Sequence, residues 1–296
     1  MPAAPDLFRA LGVLCEPPEP AHARIANALS LPGRADPADH TELFGLQLVP
    51  YASVYLGAEG MLGGEAADRV AGFWRALHLT PPAEPDHLAA LLGLYATLGE
   101  AEDGERDPAR QALWRQARRA LLWEHLLTWA VAYARAVAAS ARPAHAAWAE
   151  LLERTLLAEA SELEPPATPP LHLRDAPRLP EGGEDASALV GVLLAPVRSG
   201  LILTRRDLTR AAGSLGLGLR IGERAVALRS MLSQDPRATL AWLADEAAGW
   251  AVRHRRTEAV LGGIGRHWRE RAEAVRALLL ELERATEEVT VHAARR

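Results

Sequence analysis

The sequence predicts an all-α protein. Apolar residues recur every three or four positions along nearly every periodic segment, and no convincing run alternates apolar and polar residues as a half-buried strand does. Helix starts are also well marked, because a capping acid is followed three times by proline, which fits the first helical turn. These pairs are Asp36-Pro37, Asp107-Pro108 and Asp235-Pro236.

The predicted helices follow one another along most of the chain. They lie at about residues 5–15, 20–31, 37–48, 65–78, 85–101, 108–140, 143–163, 187–199, 205–215, 221–233 and 236–289. Thr204 and Asp207 have the spacing of a capping box, with Asp where Glu is usual. The last segment is expected to break at residues 262–265, because clustered glycines disfavour a helix interior.

One segment interrupts the helical pattern. Residues 165–186 are rich in proline and glycine and carry no apolar period, as is typical of a linker. The sequence therefore predicts a helical domain at residues 1–164 and a second helical region at residues 187–296.

Composition limits the cellular compartments and the kinds of chemical site that fit this chain. The single cysteine, Cys15, excludes an internal disulfide and a cysteine-ligated cluster within the chain, which suits a reducing compartment. The first residues lack a basic segment followed by an apolar core, and no run of about 18 uncharged apolar residues occurs. These observations favour the cytoplasm.

Charge is distributed unequally along the chain. Residues 1–164 contain 13 Arg and 22 acids, a net charge of −9, whereas residues 165–296 contain 20 Arg and 16 acids, a net charge of +4. An acidic N-terminal region would attract a basic peptide by long-range steering, although an ordinary solvated surface would show much the same pattern.

A helix start at residues 84–88, with the sequence EPDHL, is the first candidate for a binding site. Pro85 suits the first turn, Asp86 is favoured there by the helix dipole, and one apolar face follows from Leu88 onward. Glu84, Asp86 and His87 are therefore expected at the exposed mouth of a helix. On spacing alone, a plain capped helix start explains the same residues.

Three short motifs together resemble those of the TorD/DmsD/NarJ-like family of chaperones for molybdenum enzymes. They are SVYL at residues 53–56, EPDH at residues 84–87 and the H-L-x-x-W pattern of His125, Leu126 and Trp129. Each motif is weak alone, but their order and spacing match the family over about residues 5–164. The resemblance implies a TorD-like helical bundle, to which residues 187–296 add a further helical region.

The resemblance also implies a site. In the family, the EPDH motif marks a hinge beside a groove that is implicated in binding the partner's leader peptide. Trp74 and the aromatic residues of the other motifs are expected to serve as groove walls, against the alternative that they are core residues. The residues expected to bind a peptide are Tyr55, Trp74, Glu84, Pro85, Asp86, His87, His125 and Trp129.

The implied function is binding rather than catalysis. Family members hold the apo form of a molybdopterin oxidoreductase subunit by its leader or N-terminal segment, often a twin-arginine signal, while the cofactor is inserted. We therefore expect a chaperone that is not an enzyme and has no cofactor of its own, as a monomer or a domain-swapped dimer. Export of the partner cannot be assumed, because NarJ-like relatives bind a partner that stays inside the cell.

Two other interpretations remain open. Residues 204–232 pair two short amphipathic helices across a Gly-rich turn with several arginines, as a DNA-binding helix-turn-helix would. A helical scaffold without a peptide groove is the third possibility. Metal and nucleotide sites are disfavoured, since neither an H-E-x-x-H motif nor a P-loop occurs in the sequence.

Overall fold

A computed structural model describes residues 4–32, 36–140, 143–177, 179 and 186–294. Within these ranges the chain is helical and contains no β-strand, which confirms the all-α prediction. Two compact units are present: one comprises residues 1–57 and 61–175, and the other comprises residues 58–60 and 176–296. Residues 178 and 180–185 of the predicted linker lie outside the described residues.

The first unit contains ten α-helices within the described residues. They are α1 (Pro5–Val13), α2 (Pro20–Ala28), α3 (Pro37–His40), α4 (Ala52–Leu56), α5 (Gly64–Ala76), α6 (Leu88–Gly104), α7 (Pro108–Ala120), α8 (Ala130–Ser140), α9 (Pro143–Glu162) and α10 (Leu171–Arg174). Two π-helical segments, Thr41–Gln47 and Leu121–Leu126, continue α3 and α7. Helix α6 packs against α1 and α7, and α8 packs against α9.

The core of this unit is built around α6. The ring of Tyr95 meets that of Phe8 edge-on at 4.6 Å between centroids, and its hydroxyl donates to the buried carboxylate of Glu159 at 2.5 Å. Cys15 is buried in the same unit. Apolar burial of this extent is the main stabilising contribution to a helical domain.

The second unit contains six α-helices within the described residues. They are α11 (Ala186–Leu194), α12 (Pro196–Ser199), α13 (Arg205–Leu215), α14 (Arg224–Gln234), α15 (Pro236–Leu261) and α16 (Gly263–Ala294). Helices α15 and α16 pack along each other as a long hairpin, and the predicted glycine break separates them at Gly262, where φ is +54°. Inside it, His254 stacks between Trp250 and Trp268 and contacts the carbonyl of Gly200 at 2.9 Å.

Most predicted helix starts are confirmed. Asp36, Asp107 and Asp235 each accept a hydrogen bond from a backbone N–H two or three residues later, with proline following the cap. Thr204 and Asp207 form the reciprocal capping box at the start of α13.

Several predicted boundaries are wrong because backbone groups bond elsewhere. The helix expected to start at Pro85 starts at Leu88, and the five-residue helix α4 was not anticipated. The segment predicted at residues 187–199 is split before Pro196, which lacks the N–H that a continuous helix needs. The segment predicted at residues 108–140 is interrupted by the π-helical turn Leu121–Leu126.

Candidate functional site

Two short non-helical stretches lie side by side in the first unit. The N–H of Ala52 donates to the carbonyl of Asp86 at 3.0 Å, and the N–H of Leu88 donates to the carbonyl of Pro50 at 2.8 Å. Tyr51 and His87 face each other between these bonds as an isolated antiparallel bridge. The EPDH segment is thereby paired with the residues that lead into SVYL, although 33 positions separate Ser53 from Asp86.

The buried side chain of Asp86 stabilises this pairing. Its side chain is only 4% exposed, and one carboxylate oxygen accepts the N–H of Ser53 at 2.9 Å. The hydroxyl of Ser53 in turn accepts the N–H of Gly63 at 3.1 Å. The expectation that Asp86 lies at an exposed helix mouth is therefore wrong, because its carboxylate is used to hold the first turn of α4.

His87 is the N-cap of α6. Its Nδ1 accepts the N–H of Ala89 at 3.2 Å, so in the neutral ring the proton is on Nε2. The ring meets that of Tyr51 edge-on at 4.8 Å between centroids. Burial lowers the pKa of His87, and the nearby acids Glu84 and Glu16 oppose that shift. His87 is half-buried.

Tyr51 connects this bridge to the exposed acid Glu84. Burial, followed by a hydrogen bond with the Glu84 carboxylate, raises the pKa of the Tyr51 hydroxyl to about 12. The hydroxyl therefore stays protonated as a donor at neutral pH. Tyr51 was not among the predicted site residues. The available signal was its position two residues before SVYL.

Trp74, in the last turns of α5, reaches the same segment. Its indole N–H donates to the carbonyl of Pro85 at 3.3 Å, and both residues are half-buried. The chain then turns back, since the N–H of Leu79 bonds the carbonyl of Trp74 at 3.0 Å, and the side chain of Leu79 is 41% exposed. Trp74 and Leu79 therefore place apolar side chains near the segment that contains Glu84 and Pro85.

Tyr55 and Trp129 lie beneath the residues described above. Their rings stack at 5.2 Å with only 10° between the planes, and Trp129 is fully buried. The Tyr55 hydroxyl donates to the carbonyl of Val49 at 3.0 Å, and the Trp129 indole donates to the carbonyl of His125 at 2.8 Å. The structure thus brings the SVYL and H-L-x-x-W motifs together as an interior support of residues 49–56.

His125 occupies a different place. Its ring is buried against Phe73, at 4.9 Å between centroids, and against His172, at 5.6 Å. Burial, with a smaller contribution from His172, lowers its pKa to about 3. His125 therefore touches the back of α5 rather than the residues of the EPDH segment.

The accessible residues form one surface, here called the hinge face. It consists of Tyr51, Trp74, Leu79, Glu84, Pro85 and His87. It offers one exposed carboxylate, one protonated phenol and an apolar rim. The described residues contain no cluster of three or more His, Cys, Asp or Glu that could hold a metal ion. The arrangement suits binding of a polar, basic segment.

Comparison with known families agrees with the motifs. Residues 21–135 match the family described as Nitrate reductase delta subunit, which belongs with the NarJ/TorD-like maturation chaperones. The match covers less than half of the chain but includes the whole hinge face. No curated protein matches the chain. None of the helices in the described ranges has the length and hydrophobicity that crossing a membrane requires.

Proposed function

We propose that this chain, related over residues 21–135 to the TorD/DmsD/NarJ-like chaperones, binds the leader or N-terminal segment of a molybdopterin oxidoreductase. The partner would be held in its apo form, in the cytoplasm, while its cofactor is inserted and its subunits assemble. The protein would act by binding and not as an enzyme.

The observation that carries this proposal is the pairing of residues 49–52 with residues 84–88. Two backbone hydrogen bonds and the buried Asp86 carboxylate fix the EPDH segment, so the outward groups of the hinge face are held in place before a peptide arrives. A preorganised surface loses less conformational entropy on binding than a mobile loop does.

The side chains at the hinge face and beneath it have two kinds of role. Some would contact the peptide, and others support those that do. Glu84 is exposed and lies beside the Tyr51 hydroxyl, so it can form charge-assisted hydrogen bonds with an arginine of the bound segment. Trp74 and Leu79 can cover the apolar residues that follow the arginine. Asp86, Tyr55 and Trp129 hold these groups from below and would not touch the peptide.

Charge supports the same partner. Residues 1–164 carry 13 Arg against 22 acids, a net charge of −9, so a basic leader would be drawn to this region at low ionic strength. Raising the salt concentration should therefore slow association and leave the dissociation rate nearly unchanged.

The test is calorimetry with a synthetic leader peptide that contains two arginines and an apolar stretch, taken from the molybdoenzyme gene nearest to this one. Glu84→Gln removes the exposed charge but keeps the shape, and we expect it to weaken binding about 10- to 100-fold, as the loss of a charge-assisted hydrogen bond does. Glu150→Gln, which removes an exposed acid from α9, is the matched control and should bind like the native chain.

Two results would count against the proposal. One is the absence of binding by any leader of the neighbouring molybdoenzyme genes. The other is equal weakening by Glu84→Gln and Glu150→Gln, since this would show that net charge and not the hinge face attracts the peptide.

The DNA-binding alternative has less support than the chaperone function. The two helices across the Gly-rich turn are present as α13 and α14, but Arg224 donates to the carbonyl of Leu203 at 2.8 Å and so helps to hold the unit together. The family comparison offers no support for a nucleic-acid partner.

A further inference from the structure

The segment at residues 163–175 is fastened across the first unit at several points. It is here called the latch. The indole of Trp123 donates to the carbonyl of Leu163 at 3.1 Å, and Glu124 accepts the N–H of Leu171 at 3.2 Å. Further along, Arg69 of α5 donates to Asp175 at 2.8 Å. Helix α10, which has only four residues, depends on such contacts because a single turn is not stable alone.

A histidine pair lies under the middle of the latch. His172 is 4% exposed and His125 is 8% exposed, and their rings meet nearly at right angles, 79°, with 5.6 Å between centroids. Nε2 of His172 and Nδ1 of His125 are buried, and neither has a hydrogen-bond partner among the described residues. Charging either ring would therefore place an uncompensated cation in an apolar setting beside the other imidazole.

The charged groups around the pair do not offset that cost. From α5, Arg69 disfavours a proton on His172, whereas Glu65 favours one; from the latch itself, Asp175 also favours one. Burial, together with Arg69, outweighs the two acids and lowers the pKa of His172 to about 4. His125 faces Phe73 and His172, and its neighbour Glu124 already accepts the latch N–H of Leu171.

We propose that residues 163–175 form a pH-sensitive latch, which stays closed while His125 and His172 are neutral and opens when the pair takes up protons. Opening would transfer the two imidazoles from an apolar interior to water, where a protonated ring is readily solvated. The ion pair of Arg69 with Asp175 would be broken in the same event, since its acid is at the end of the latch.

The direction of the pH effect follows from the two states. Each histidine has an ordinary pKa near 6.5 when exposed, and a lower one, about 3 or 4, in the closed state. The open state therefore binds more protons, so closing weakens as pH falls below about 6.5. Between pH 7.5 and pH 5.5 the opening equilibrium should rise by about tenfold for each imidazole that is released.

Opening would also affect the side of α5 that packs against His125. Phe73 packs on His125, and the next residue, Trp74, belongs to the hinge face through its bond to Pro85. Acid would thus loosen the support of this surface. The latch itself does not rest on the proposed peptide binding, and it is measured without a peptide.

The experiment is hydrogen exchange of the full chain, resolved by mass spectrometry, between pH 5.5 and pH 7.5. After correction for the intrinsic exchange rate, the protection of residues 171–175 should fall at least tenfold at the lower pH. The protection of α8 in the same unit should stay constant. A latch that keeps its protection, or that loses it together with α8, would overturn the proposal.

Two variants separate titration from packing. His172→Phe keeps an aromatic ring but cannot take up a proton, so only His125 would still titrate on opening, and the fall in latch protection between the two pH values should be about tenfold smaller than in the native chain. An unchanged fall would contradict the proposal. His145→Phe is the matched control, because His145 is also buried with a lowered pKa but contacts Phe44 instead of the latch. It should leave the pH dependence intact. Loss of the dependence in His145→Phe would contradict the assignment to the His125–His172 pair.

Discussion

The first unit, beneath its hinge face, and the α15–α16 hairpin of the second unit use their buried aromatic residues differently. In the hairpin, His254 lies between two tryptophans on long regular helices and contacts a carbonyl at 2.9 Å. In the first unit, Tyr55 and Trp129 support a short helix and two non-helical stretches that bond to each other. We therefore interpret the hairpin as a scaffold, whereas the first unit uses its core to shape a surface.

The contrast bears on where function is expected. π-Helical turns are rare in proteins and are frequently found at functional sites. Both π-helical segments of the described chain belong to the first unit, within the residues that match the chaperone family. If this interpretation holds, damage to the first unit should alter binding, and damage to the second should alter stability alone.

The largest effect is expected for Trp129→Ala. The residue is fully buried and stacks on Tyr55, so its loss should lower the free energy of unfolding of the first unit by about 3–5 kcal/mol. Hydrogen exchange resolved by unit is the measurement, because unfolding of a two-unit chain need not be two-state. Trp114→Ala, a half-exposed tryptophan on α7, is the control and should cost far less. Equal effects would refute the supporting role of Trp129.

The second largest effect tests the scaffold. Gly200 has φ of +73°, and a Cβ there would lie 2.5 Å from the backbone nitrogen of Ala272. Gly200→Ala should therefore destabilise the second unit by about 2–5 kcal/mol through backbone strain and overpacking. Peptide binding at the hinge face should not change. A Cβ on Gly191, within α11, would meet nothing within 4 Å, so Gly191→Ala should be neutral or slightly stabilising.

The third effect tests whether Asp86 only supports the hinge face or also binds the peptide. Asp86→Ala leaves the buried N–H of Ser53 without its acceptor and should cost about 1–3 kcal/mol. Asp86→Asn keeps an oxygen at that position and should cost less. Amide exchange of Ser53 and calorimetry with the leader peptide measure the two consequences. Should Asp86→Asn abolish peptide binding while Ser53 stays protected, the carboxylate would have a direct role in binding.

Local sequence signals predicted a large part of the fold. The acid–proline starts at Asp36, Asp107 and Asp235 and the glycine break before α16 are read from neighbouring residues, and the structure confirms each of them. These features depend on bonds within one or two helical turns, which residue spacing encodes directly.

The candidate site was less predictable because its bonds are long-range. Asp86 looks like the first turn of an exposed helix, but its carboxylate is taken by Ser53, 33 positions earlier. His125 looks like a groove residue, but its ring faces His172 from a segment that was expected to be a linker. No periodic pattern specifies which distant backbone N–H or ring a side chain will meet.

The smallest effect is expected at the capping box that begins α13. Thr204 accepts the N–H of Asp207 at 3.1 Å and donates to its carboxylate at 2.6 Å. Thr204→Ala removes both bonds and should cost about 1 kcal/mol, with faster exchange confined to the first turn of α13.

Thr209→Ala provides the comparison on the same helix. Its hydroxyl bonds only the carbonyl of Arg205, one turn earlier, at 2.9 Å, and it is exposed to solvent. Because helix interiors gain little from such a bond, this change should be nearly neutral. If Thr204→Ala also weakened leader binding, the second unit would take part in recognition, and its separation from the hinge face as a scaffold would have to be abandoned.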